Sequence, residues 1–285
     1  MKYLLPLLLL LVSSISNAQY NLSPIICGNE ILSDMMRTYY PEWERAIDQT
    51  FEEAKASSGI RSDEPLTIKV VFHVVWNQPE ENLHDSIILN QLMVLNEDYN
   101  RLNADTVNLR PIFENEAGKA NIHFELESII RVQTDELFAV DLFGGTLIPE
   151  VKHSQGGSDA WNTTNYLNIW ICKIQPLEIF GMEVGQILGF AFPPSGLDHW
   201  PDGSSAPLPE EDGVVLDYRI IGRNNSNFIL IPDGSGDELT VRGRSASHEI
   251  GHYLGLRHIW GDGGVFGPND CQQSDGIDDT PFADS

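Results

Sequence analysis

Residues 247–259 read SHEIGHYLGLRHI, and the spacing of the histidines in this stretch decides how the rest of the chain is read. On a helix, residues four apart share a face, so His248 and His252 can reach one metal ion together. Glu249 follows one step round the helix, beside that ion rather than on it. A carboxylate there is placed to take a proton from a metal-bound water. Gly255 can adopt positive φ, ending the helix and turning the chain so that His258 approaches from another side. Three imidazoles leave one position open for water and a substrate carbonyl, the donor set of a catalytic zinc centre. Three histidines, a glutamate and a glycine at fixed spacing arise by chance in roughly one such chain in 10⁵. The pattern therefore predicts one zinc ion held by His248, His252 and His258, with Glu249 as general base.

Outward from this motif, the chain mixes strands and helices without a regular βαβ rhythm, which predicts an α+β fold. Residues 67–76 (TIKVVFHVVW) are β-branched and apolar on both faces, as in a strand central to a sheet. Residues 86–100 carry apolar side chains at 87, 88, 92, 95 and 99, a helical spacing. Strands are expected over 121–128 and 166–174, with short edge strands over 189–192 and 213–216. Residues 29–58 lean towards helix and Pro41 divides them into two. The small, polar stretch 54–65 reads as a linker to the main domain.

The N-terminus reads as a signal peptide: Lys2, an apolar run from Leu4 to Val12 broken by Pro6, then Ser16-Asn17-Ala18. That run is too short to span a bilayer as a helix, and no later stretch approaches about 20 apolar residues. A soluble protein, secreted after removal of residues 1–18, is expected. The formal charge is −25, from 17 basic and 42 acidic residues. A field of that sign repels nucleic acid and anionic membranes, which excludes both as partners in this reading. Its plainest role is a solubilising surface. The three cysteines, Cys27, Cys172 and Cys271, have no metal-ligand spacing, and their odd count leaves one thiol over or a partner missing.

The motif HExxHxxGxxH is the signature of the metzincin metalloproteases. Residues 243–249 (GRSASHE), Leu256-Arg257-His258-Ile259-Trp260-Gly261-Asp262, Cys271 and Asp279-Thr280-Pro281 resemble the pappalysin (cytophagalysin) family more narrowly. The strands at 70–76 and 166–172 and the run Gly213-Val214-Val215 fit that family too, so the resemblance covers roughly 67–285. It implies a zincin fold with a twisted mixed sheet and a zinc-bearing helix above an irregular lower subdomain. It further implies a secreted endopeptidase made as a zymogen, with one zinc ion, often calcium, and protein or peptide substrates. The corresponding division is a signal peptide at 1–18, a pro-segment at 19–61 and a catalytic domain at 62–285. Metzincins carry a Met-turn after the third histidine, whereas no methionine follows Met182. In the family the cysteine matching Cys271 pairs with a later one. An incomplete lower subdomain is expected, from a fragment in preference to a shortened relative. An inactive, metzincin-like binding or adhesive protein is the alternative function.

Within the expected pro-segment, Cys27 is the candidate latency ligand, since the resemblance implies a thiolate in the open zinc position. An incidental cysteine is the alternative. Activation calls for a cut in the linker beside Arg61, with Lys55 as competitor. Asp262, Asp270, Asp275, Asp278 and Asp279 crowd a glycine-rich loop, which reads equally as a calcium site or as solvated acid. Asp262 is also placed to orient a zinc-ligand imidazole. His73 and His123, in expected strands, read as packed or hydrogen-bonded structural residues, and Cys172 as a buried small one.

Overall fold

The structure, a computed structural model, describes residues 25–56, 64–115, 117–141, 147–194, 205–206, 208–232, 238–240, 242–261 and 275–277. The signal-peptide stretch, Arg61, Cys271 and all of the acidic loop except Asp275 fall outside these residues. In chain order the elements are β1 (Ile25–Ile26), α1 (Gly28–Tyr39), α2 (Trp43–Ala56), β2 (Leu66–Trp76), α3 (Asp85–Tyr99), β3 (Ile122–Gln133) and β4 (Leu167–Cys172). They continue with β5 (Leu177–Ile179), β6 (Met182–Ile187), β7 (Gly189–Phe192), β8 (Gly213–Asp217), β9 (Leu230–Pro232), β10 (Glu238–Thr240) and α4 (Arg244–Tyr253).

The main sheet has the order β3-β2-β4-β8-β7. The first four strands are parallel and β7 closes the row antiparallel to β8. This is the mixed sheet that the family resemblance implies. Period-two alternation then builds a core on each face. Val70, Phe72 and Val74 of β2, Ile169 and Ile171 of β4, and Val214 and Leu216 of β8 meet Ile88 and Leu95 of α3 and Ala246 and Ile250 of α4. The intervening Val75, Trp170, Cys172 and Val215 face Phe190 and Phe192 of β7 and Ile31, Leu32 and Met36 of α1. α4 therefore lies on one face of the sheet, and α1 covers the other beside β7.

Four expectations are corrected. β8 is not an edge strand, because it pairs with β4 on one side and β7 on the other; β7 alone of the two is at the rim. β3 outruns its alternating stretch, because β2 offers it a partner along its whole length, with a register shift at Glu127. The interhelical break at Pro41 holds, but α2 continues to Ala56, so Lys55 sits in a helical turn and not in a linker. His123 is exposed, whereas His73 is fully buried and hydrogen-bonded. Cys172 is buried as a small core residue. Among the described residues no helix is long and apolar enough to cross a membrane.

Candidate metal centre

Both ends of α4 are fixed by contacts that aim its histidines. At its start, Gln91 of α3 donates to the Gly243 carbonyl (3.0 Å) and accepts from the Gly222 amide (2.8 Å). Tyr99 donates to the Ser247 carbonyl (3.0 Å), and the Ser247 hydroxyl donates to Asp98 (2.6 Å). At its end, Gly255 has φ +89°; its amide bonds the His252 carbonyl, and the Leu256 amide bonds that of Gly251. This paired closure is the Schellman motif, which needs a left-handed residue where the glycine stands. The turn brings the Leu256 carbonyl back to His252, whose Nδ1 donates to it at 2.9 Å. With the proton on Nδ1, the His252 Nε2 presents a lone pair.

His252 Nε2 lies 3.1 Å from His248 Nε2 and 3.2 Å from His258 Nε2. The Cys27 sulfur lies 3.6 Å from His252 Nε2, and all four candidate donor atoms fall within 4.8 Å of one another. A tetrahedral zinc ion with ordinary bond lengths sets two nitrogens about 3.3 Å apart and a sulfur and a nitrogen about 3.6 Å apart. The spacings about His252 match those values, and three imidazoles and a thiol are a donor set that suits zinc. His252 and His258 are buried, and His248 is exposed towards a cavity of about 540 Å³ also lined by Tyr99, Lys119 and Trp260. His258 stacks on Trp260, centroids 4.6 Å apart and planes 6° from parallel.

Glu249 is buried, and its Oε2 has no hydrogen-bond partner. An orphaned buried carboxylate oxygen is costly, so it marks a place where a further polar group is accommodated. Cys27 Sγ reaches the other oxygen at 3.9 Å. Burial pushes the Glu249 carboxyl up to about 8, against a smaller opposing pull from the Cys27 hydrogen bond. A cation at the histidines would draw it back down.

The sequence-singled residues Cys27, His248, Glu249, His252 and His258 thus converge on one centre. Asp275 is buried and accepts from the Ile277 amide, without a place in that centre. Several contacts have no counterpart in the sequence reading. Asn29 pairs through its side chain with the Ala191 main chain. Arg257 bonds Asp48 of α2 at 2.6 Å and lies over the Phe51 ring, tying α2 to the loop that carries His258. Lys152 is fully buried, with its ammonium over the rings of Trp170, Phe190 and Phe192 and donating to the Glu211 carbonyl. Burial lowers its pKa to about 7. None of these has a local sequence signal; each depends on segments far apart in the chain meeting.

No family model matches the chain. Among curated proteins it is similar to an extracellular metalloprotease of Arthroderma benhamiae, 26% identical over 237 residues, which cover 82% of this chain and 61% of the relative. A similar relative is extracellular metalloprotease 1 of Coccidioides posadasii, 24% identical over 286 residues, 99% of this chain and 79% of that one. The chain thus spans about three fifths of the length of the first of these. Among solved structures, mature mirolysin of Tannerella forsythia in complex with a cleaved peptide superposes with a TM-score of 0.61 at 35% identity, over 78% of this chain and 74% of that one. A promirolysin mutant superposes with a TM-score of 0.66 at 33% identity, over 89% and 75%. The α+β architecture is accordingly of the metzincin type. Identity at that level over most of a mirolysin chain, added to the extended histidine motif, makes this chain a member of the pappalysin-like metzincin metalloproteases.

Proposed function

We propose that the protein is a secreted, zymogen-type zinc endopeptidase acting on extracellular proteins or peptides. The observation that carries the reading is the convergence of donor atoms of His248, His252, His258 and Cys27 within 4.8 Å of one another, with an unpartnered Glu249 oxygen beside them. When bound, zinc supplies an acidified water and polarises the scissile carbonyl. Glu249, with its unpartnered Oε2, would hold the proton given up by the attacking water and pass it to the leaving amine. Its buried setting keeps bulk water from competing for the carboxylate. His252, held by the Leu256 carbonyl, and His258, held against Trp260, keep their Nε2 atoms aimed inward.

In this reading residues 19–61 are a pro-segment and Cys27 is the fourth donor, occupying the position a substrate carbonyl needs. The larger share of this chain that superposes on promirolysin than on mature mirolysin, 89% against 78%, supports it. So do the contacts of α1 and α2 with Ala191, Trp260 and Arg257. A cut in the stretch around Arg61 would release the plug.

The test is zinc content and casein hydrolysis of Cys27→Ala, with and without Glu249→Gln. One zinc per chain in both, with cleavage in the first and none in the second, supports the enzyme. Zinc without cleavage in either favours a binding protein on a metzincin scaffold, and full activity in the variant carrying Glu249→Gln sinks the assignment of the base.

A further inference from the structure

β7 is the rim strand of the main sheet, so one of its edges has no strand partner there. In an antiparallel pair, backbone groups alternate between facing the partner and facing away. The Leu188 carbonyl accepts from the Asp217 amide of β8, which puts the Ala191 amide and carbonyl on the outward edge. Both are taken by one side chain. The Ala191 amide donates to Asn29 Oδ1 at 2.8 Å, and Asn29 Nδ2 donates to the Ala191 carbonyl at 3.3 Å. A primary carboxamide carries one acceptor and a donor in a plane, the same pair that a peptide unit offers. Asn29 thus makes the two bonds that a residue of an added strand would make.

The close approach this requires is built into the sequence. A Cβ on Gly28 would sit 2.5 Å from the Gly189 carbonyl oxygen and 2.8 Å from Phe190 Cβ. Only a residue without a side chain lets the chain lie this near β7. Cys27, Gly28 and Asn29 then make three different contacts in succession: thiol to the histidine cluster, bare backbone to the strand, carboxamide to the strand's edge.

An extended peptide reaching the histidines along this rim would bind by strand addition, in which main-chain hydrogen bonds supply the affinity. We propose that Asn29 is a second latency anchor, independent of the metal, whose carboxamide occupies the Ala191 main-chain pair in place of one peptide unit of a substrate. It rests on the protease reading above and specifies how that site is held shut. Because two hydrogen bonds, and not a metal bond, hold it, chelation of zinc leaves it in place.

The full chain provides two separable readouts. Amide exchange in EDTA-treated protein should find the Ala191 amide protected in wild type and in Cys27→Ala. In Asn29→Ala that amide should exchange roughly tenfold faster, while Phe190, facing β8, is unchanged. Equal exchange at Ala191 in wild type and Asn29→Ala overturns the anchor, as does loss of protection in Cys27→Ala. Hydrolysis of a fluorogenic peptide by the zinc-loaded chain should rise in Cys27→Ala and by a further several-fold in the double variant. No gain from Asn29→Ala in that background overturns the anchor too. Activity missing from every variant, and still missing from a C-terminally extended chain, refutes the protease reading instead, and the exchange result still decides the Ala191 contact.

Discussion

Gly189 stands directly against Glu249: a Cβ built on the glycine would lie 2.8 Å from the glutamate's Cγ. The same atom would lie 2.9 Å from the Val215 carbonyl oxygen and 3.0 Å from a Leu216 methyl. The β8 carbonyl contact asks for a small shift of the strand, and the larger movement falls on the glutamate side chain, the more compliant neighbour. Gly189→Ala should therefore displace Glu249 while leaving the three histidines, none of them among the close neighbours of that Cβ, able to hold zinc. The expected result is an unchanged zinc content with peptide hydrolysis lowered on the order of a hundredfold, as for other misplacements of a reacting group. Hydrolysis within twofold of the parent would show that the rim strand does not position Glu249 for the proposed reaction.

That contact also marks what the sequence can and cannot reveal. The histidine spacing determines α4, its Gly255 turn and the convergence of three imidazoles, because helix geometry links those residues locally. The central strand and α3 are legible for the same reason, through their own periodicity. The rim strand 189–192 is legible as an edge strand, but its contacts are not: the roles of Gly189, Asn29 and Ala191 exist only once β7 lies antiparallel to β8 and the chain from Cys27 lies along it. β8 reads as an edge strand on the same account: five residues of this kind look alike whether one neighbour or two will bond them.

If His258 is a zinc ligand as proposed, its stack on Trp260 predicts a metal-affinity effect separate from catalysis. His258 follows the helix, on a turn, so its ring is held by packing in place of helical geometry; the indole supplies that packing at 4.6 Å. Trp260→Ala should weaken zinc binding about 10- to 100-fold, the usual range for loss of a ligand's supporting partner. Trp260→Phe should recover most of it. Competition with a chromophoric chelator measures both, and equal affinity in all three proteins would count against the support role.

Asp98 joins α3 to the first turn of α4. It accepts from the Ser247 hydroxyl at 2.6 Å and from Arg244 at 3.4 Å, and a carboxylate near a helix N-terminus is favoured by the helix dipole. Asp98→Ala should lower unfolding free energy by about 1–2 kcal/mol, mostly through the lost charge-assisted bond, since the Arg244 pair is half exposed. Urea denaturation reads it directly. A midpoint equal to wild type would place the anchoring of α4 on Gln91 and Tyr99 alone.

His73 predicts how the fold responds to acid. The ring is fully buried, stacked on Trp170 at 5.0 Å, accepting from the Ser158 hydroxyl at 2.8 Å and donating to Asn168 at 3.0 Å. Burial lowers its pKa from 6.5 to about 4, partly offset by the Asn168 bond. Between those values the unfolded chain binds a proton that the folded chain refuses. Stability is therefore intact above the unfolded value and falls as pH drops from about 6.5 towards about 4, by at most roughly 3 kcal/mol. His73→Leu sacrifices the two hydrogen bonds and is less stable throughout, but it removes this proton from the balance. The quantity to compare is the loss of unfolding free energy between about pH 7 and about pH 4.5. Wild type should lose about 2 kcal/mol more than the variant over that interval; parallel losses would mean that other groups set the acid limit of the fold.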